Sequence, residues 1–110
     1  MEKKIIDREF SKFTEVNLSV YVHNIRWRLR DNPHFPAPSP SLEELRTKLG
    51  ELKREVTKLF TGDDHALDPM RSTRRDLEAM LKTLADNLEV TTRDRGKLST
   101  TGFDLLVSDE

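Results

Sequence analysis

The sequence predicts an all-α fold, an up-down-up three-helix bundle with a proline-rich extended connector and an extended C-terminal segment. Three observations carry that prediction. Leu and Val recur at helical spacing in three separate stretches. Ser41 and Glu44 form an S-x-x-E capping signature in front of the second stretch. Four of the five prolines sit together between the first two stretches, where a connector is needed. Each helix has one apolar stripe that it cannot bury alone, so three stripes converge on a shared core.

The first helix is predicted over residues 14–30. Leu18, Val22, Ile25 and Leu29 fall at i, i+4, i+7 and i+11, on one face. Val16, Val20 and Trp27 are expected to widen that face. Asn32-Pro33 ends the helix, because the residue before a proline disfavours helical torsions. Residues 32–41 are then too proline-rich for a helix and read as a polyproline-like connector, with Phe35 as the anchor that docks it on the bundle.

The second helix starts at the Ser41 cap. Leu42, Leu45, Leu49, Leu52, Val56 and Leu59 alternate spacings of three and four, a seam of nearly three heptads. Thr61-Gly62 stops it, with Gly62 as a left-handed C-cap.

The third helix carries Met70, Leu77, Leu81, Leu84 and Leu88 on its seam. Two starts fit. Asp68 and Pro69 suit the N-cap and first helical positions, which leaves 62–67 as a loop. Alternatively the helix begins near Asp63 and Pro69 lies in its first turns. Beyond Thr91 a short turn around Leu98 is expected, then an extended segment in which Phe103 and Leu105 pack back on the bundle. The chain so divides into an N-terminal arm over 1–13, a helical bundle over 14–107 and a flexible tail over 108–110, with the first few residues also mobile. The arm's Ile5, Ile6, Phe10 and Phe13 permit a helical turn or a strap across the bundle. With few aromatics, the core is expected to be aliphatic.

The order apolar helix, Asn-Pro-x-Phe-Pro-x-Pro-x-Pro, Leu-x-x-Leu, Leu-rich helix, Gly-Phe-Asp-Leu resembles a family of short, uncharacterised bacterial helical proteins, some with a following fibronectin type III domain. Asn32, Pro33, Phe35, Pro36, Pro38, Pro40, Leu42, Leu45, Gly102, Phe103, Asp104 and Leu105 carry the resemblance, which spans about residues 14–106. It implies a helical architecture and transfers no activity. This chain departs from the pattern in its higher Arg and Glu content and in Pro69, and no following domain is expected in it.

Composition narrows the function. Lys and Arg number 19 against 20 Asp and Glu, so the basic excess of a generic polyanion binder is missing. There is no cysteine, which removes disulfides, thiolate metal sites and a Cys nucleophile. The N-terminus has no apolar signal core and no run approaches a membrane span, so a cytoplasmic location, or packing within a larger particle, is expected, with no membrane partner.

Catalytic and metal chemistry find little purchase. His23, His34 and His65 share no i, i+4 spacing, so no zinc pair is present. Asp63, Asp64, His65 and Asp68 form the densest cluster of ligand types, but they lack the glycine and terminal glutamate of a calcium loop and read as a solvated, capping loop. No G-x-S-x-G element or glycine-rich phosphate loop occurs. No enzyme activity and no cofactor are expected.

A basic aromatic cluster, Arg26, Trp27, Arg28 and Arg30, closes the first helix, and Arg71, Arg74 and Arg75 form a second on the third helix. Arg26, Trp27, Arg30 and Phe35 are the candidate interaction surface. The favoured reading is a non-enzymatic structural or protein-interaction module whose partner is a protein, itself or another, with a homo-oligomer among the options. A bundle of this size can leave one groove open to that partner. The alternative is a nucleic-acid-associated domain using the Arg and Trp side chains, against which the balanced charge weighs.

Overall fold

A computed structural model describes residues 4–107 of the chain; the expected mobility of the first residues and of 108–110 falls outside the described residues. Four helices follow one another: α1 Glu15–Leu29, α2 Leu42–Phe60, α3 Leu67–Thr91 and the single turn α4 Arg95–Leu98. Single 3-10 turns cover Phe10–Lys12, Asp64–Ala66 and Ser99–Thr101. Among the described residues no helix is long and apolar enough to cross a membrane.

Local signals place the helix ends. Thr14 caps α1 by accepting from Asn17 N. Ser41 accepts from Glu44 N while Glu44 accepts from Ser41 N, a complete capping box. At the other end of α2, Gly62 is left-handed at φ 93°. Its N–H donates to Leu59 O at 3.0 Å and that of Asp63 to Lys58 O at 2.9 Å, the Schellman pattern. Asp63 then caps the 3-10 turn by accepting from His65 N, and that turn runs straight into α3. Pro69 is therefore the third residue of α3, in the first turn, where an absent N–H costs no helical hydrogen bond. The start with Asp68 as cap and Pro69 as first residue is not the one adopted.

The helices alternate in direction. Arg26 of α1 reaches Leu42 O at the start of α2. Thr73 of α3 donates to Glu55 of α2 at 2.6 Å, and Lys48 of α2 lies 3.7 Å from Asp76 of α3. The expected stripes meet inside: Leu18, Val22, Ile25 and Leu29 of α1, Leu45, Leu49 and Leu52 of α2, and Met70, Leu77, Leu81, Leu84 and Leu88 of α3 are all buried. Each such side chain contributes on the order of 2 kcal/mol by leaving water.

The core does not stop at the helices. Ile5, Ile6, Phe10, Phe35 and Phe103, all outside helices α1–α4, are buried in the same cluster. Residues 4–13 run antiparallel to α3, from Glu89 to Arg74. Ile5 N and Ile6 N donate to Glu89 Oε2, and Arg74 donates to the carbonyls of Phe10 and Phe13. Residues 103–106 lie beside them, with an isolated antiparallel bridge between Ile6 and Leu105. Their packing centres on an aromatic group of Phe10, Phe13, Tyr21 and Phe103, with ring centroids 4.6 to 6.3 Å apart. The core is thus mostly aliphatic, as expected, but Phe10, Phe35 and Phe103, from segments outside α1–α4, add an aromatic part that no helical periodicity announces.

Candidate interaction groove

Helix α1 carries two apolar stripes. The inner one, Leu18, Val22, Ile25 and Leu29, faces the core. The second, Val16, Val20, His23 and Trp27, has the same spacing of four, three and four but is displaced by two residues. Two residues on an α-helix turn through about 200°, so the two stripes lie on nearly opposite sides. They cannot both face one core. Val16 is 54% exposed, Val20 64% and Trp27 65%, which corrects the expectation that these three side chains widen the buried face.

Helix α2 supplies the opposite lip. Phe60, on the last turn before the Gly62 stop, is 80% exposed. Val56, one turn earlier, is half-buried beneath it. Between the two helices lies an open groove of about 590 Å³ lined by Val16, Val20, His23, Val56 and Phe60, with Glu15, Ser19, Lys53 and Thr57 along its edges. It is continuous past Val16, Val56 and Phe60 with a depression reaching Leu59 and Met70. At its other end His23 is shared with a depression formed by Arg26, Trp27, Arg30, Leu42, Glu43 and Arg46.

Three of the four candidate surface residues therefore come together. Arg26 and Trp27 share the last turn of α1, Arg30 caps it, and the Arg30 guanidinium lies 6.0 Å from the Trp27 ring centroid. That distance is within the range of a cation–π contact. Cations at this position also favour the negative end of the helix dipole. Phe35 does not belong with them. It is 3% exposed, part of the core, and its nearest ring neighbour is His34 at 6.4 Å. Its role is the anchoring one expected of the connector, and as a surface residue it is corrected. The reason is local. Asn32 accepts from His34 N and donates to Arg28 O and Thr100 Oγ1, a tight turn that swings Phe35 inward.

In the second basic cluster Arg71 and Arg75 are exposed, but Arg74 is not. Arg74 ion-pairs with Glu15 at 3.2 Å and Glu78 at 2.9 Å while holding the carbonyls of Phe10 and Phe13. It ties α1, α3 and the N-terminal segment together rather than meeting solvent. Around residues 63–68, Asp63 serves as a cap. Among the described residues, no group of three or more metal-ligating side chains lies close enough to hold an ion.

Val16, Val20 and Phe60 are the groove residues that stripe-counting missed. The signal was available, since two apolar sets two residues apart on one helix cannot share a face. No protein-family model, no curated protein and no solved structure matches this chain.

Proposed function

We propose that this chain is a non-enzymatic protein-interaction module that takes its partner into the groove between α1 and α2. One observation carries this reading: an apolar floor of Val16, Val20, Val56 and Phe60, with Val16 and Val20 exposed on a helix whose other face already supplies the core. Phe60 at one end of the groove and Trp27 at the other are both largely exposed, so each end presents an aromatic side chain. Aromatic anchors ringed by polar residues are the composition that dominates protein–protein binding energy.

A photoreactive amino acid placed at Val20 or Phe60 tests this in the cells that make the protein. Protein adducts are expected there and far fewer from Lys82, on the exposed side of α3. Equal labelling at the three sites, or none in the groove, refutes the proposal.

The alternative is nucleic-acid association through Arg26, Trp27, Arg30 and Arg46, which share one end of the groove. It would show as salt-sensitive retention on heparin that is lost in the double change Arg26→Glu and Arg30→Glu.

A further inference from the structure

The charges lining the groove identify the chemistry of its occupant. Two carboxylates border it, and both are already engaged: Glu15 with Arg74 at 3.2 Å and Glu43 with Arg46 at 3.2 Å. Three further cations lie along it, Lys53 on the α2 lip of the apolar floor, and Arg26 and Arg30 in the depression that adjoins that floor at His23. Among the described residues none of these three makes an ion pair with a carboxylate: Arg26 donates to Leu42 O and Arg30 stacks on Trp27. The floor is hydrophobic and its unsatisfied rim is positive.

The backbone adds a second constraint. Both lips are regular helices, whose peptide groups are consumed internally, so neither offers a free edge to an extended strand. An amphipathic helix lying along them satisfies its own backbone and brings one apolar stripe to the floor. The exposed stripe from Val16 to Trp27 spans about 16 Å at 1.5 Å per residue, or three turns of such a helix.

We infer that the groove is a docking site for an amphipathic helix of another protein, with an apolar stripe against Val16, Val20, Val56 and Phe60 and carboxylates flanking it to meet Arg26, Arg30 and Lys53. This inference rests on the groove being the docking surface. A second copy of the chain fits less well. It would bring the same three cations toward a groove whose two carboxylates among the described residues are already paired, which opposes like charges across the contact. A nucleic acid would use the cations and Trp27 but would leave the aliphatic floor without a partner.

The experiment uses the full chain and three synthetic helical peptides of roughly 18 residues, long enough for the three turns with ends to spare. All three carry Leu at i, i+4, i+7 and i+11; the flanking positions are Glu in one, Lys in the second and Gln in the third. Trp27 is the only tryptophan, so its emission reports occupancy directly. The Glu peptide is expected to blue-shift Trp27 and to bind about tenfold or more tighter than the Lys peptide at low salt, a gap that closes as screening increases. Changing both Arg26→Glu and Arg30→Glu should reverse the order, and Val20→Glu should weaken all three, with circular dichroism confirming the fold of each variant.

Equal binding of the Glu and Lys peptides overturns the acidic assignment and leaves the groove standing. A stable dimer that buries Trp27, seen by sedimentation, overturns it in favour of a second copy. Quenching of Trp27 by a single-stranded oligonucleotide, with no response to the Glu peptide, overturns it in favour of nucleic acid. Silence of all three peptides, with neither of those results, overturns the docking reading as well.

Discussion

Arg8 and Glu89, 81 residues apart in sequence, form the contact that closes this molecule: Arg8 Nη1 donates to Glu89 Oε2 at 2.9 Å. The same carboxylate oxygen accepts from Ile5 N at 3.1 Å and Ile6 N at 2.8 Å, and Arg93 donates to Oε1 at 3.2 Å. Glu89 is only 7% exposed. A buried carboxylate is tolerated when its lone pairs are filled, and here four donors fill them. Asp86, one turn earlier, accepts from Arg8 Nη2 at 2.8 Å. The N-terminal segment is thereby locked along α3.

Removing this acceptor should release that segment. Glu89→Ala leaves the Ile5 and Ile6 amides without their acceptor and Arg8 with only Asp86 and the Ile6 carbonyl, and is expected to cost about 3 kcal/mol of stability. Glu89→Gln keeps an acceptor for the amides and should cost less. Urea denaturation measures both, and hydrogen exchange should show the Ile5 and Ile6 amides losing protection first. Protection of those amides unchanged in Glu89→Ala would mean the clamp does not hold the segment.

Acid should act on the same contact. Burial pushes the Glu89 carboxyl up, but the bonds from Ile6, Arg8 and Ile5 outweigh it and hold the group below its ordinary 4.5. A carboxylate depressed in the folded state contributes stability that is fully present above its unfolded value and is lost as pH falls through its folded value. Asp86 is depressed likewise, burial being outweighed by Arg8 and Lys4. The protein should therefore keep its N-terminal clamp above pH 4.5 and lose it progressively below that. Amide exchange of Ile5 and Ile6 across that window is the check, and Glu89→Gln should flatten the dependence.

Tyr21 gives the opposite sign at the alkaline end. Burial raises its hydroxyl to about 12 from 10.0, against the lowering effect of the Asp104 N–H that donates to its oxygen. A group with a raised folded value contributes stability present below the unfolded value and lost as pH climbs through the folded one. Ultraviolet titration of the single tyrosine should show a midpoint near 12 in the folded protein. Tyr21→Phe should cost about 1 kcal/mol, because the Asp104 N–H loses its acceptor.

Two glycines should respond in opposite directions to alanine. Gly102 sits at φ 90°, and a Cβ there would lie 3.1 Å from Ile25 Cα and from Asn24 Nδ2. Both the torsion and the close approach to α1 oppose a side chain, so Gly102→Ala should cost about 2 kcal/mol. Gly50 lies inside α2 with open space around its Cβ position. Gly50→Ala should stabilise by about 0.5–1 kcal/mol through helix propensity. Thermal denaturation distinguishes them by the direction in which Tm moves.

The two stripes of α1 should also separate cleanly. Leu18→Ala empties a fully buried site and should cost about 3 kcal/mol. Val20→Glu, two residues away, replaces an exposed side chain and should change stability by no more than about 0.5 kcal/mol while it weakens groove binding. A large loss of stability in Val20→Glu would place that residue in the core and remove the groove.

What the sequence determined by itself was whatever depends on near neighbours. The Ser41–Glu44 box, the left-handed Gly62 stop and the inner stripes of α1, α2 and α3 are local chemistry, because caps and periodicity involve residues three or four apart. So was the all-α class, which follows from apolar periodicity in three separate stretches. Tertiary structure decided whatever depends on residues far apart in sequence. It chose which stripe of α1 is inside, since Val16, Val20 and Trp27 are as apolar on paper as Leu18 and Val22. It turned Phe35 from a candidate surface residue into core, and Arg74 from a candidate basic patch into a tie between α1, α3 and the N-terminal segment. It also paired Arg8 with Glu89, which no spacing rule connects. Burial is a property of the whole packed chain, and a helix with two apolar faces can satisfy only one of them within its own bundle.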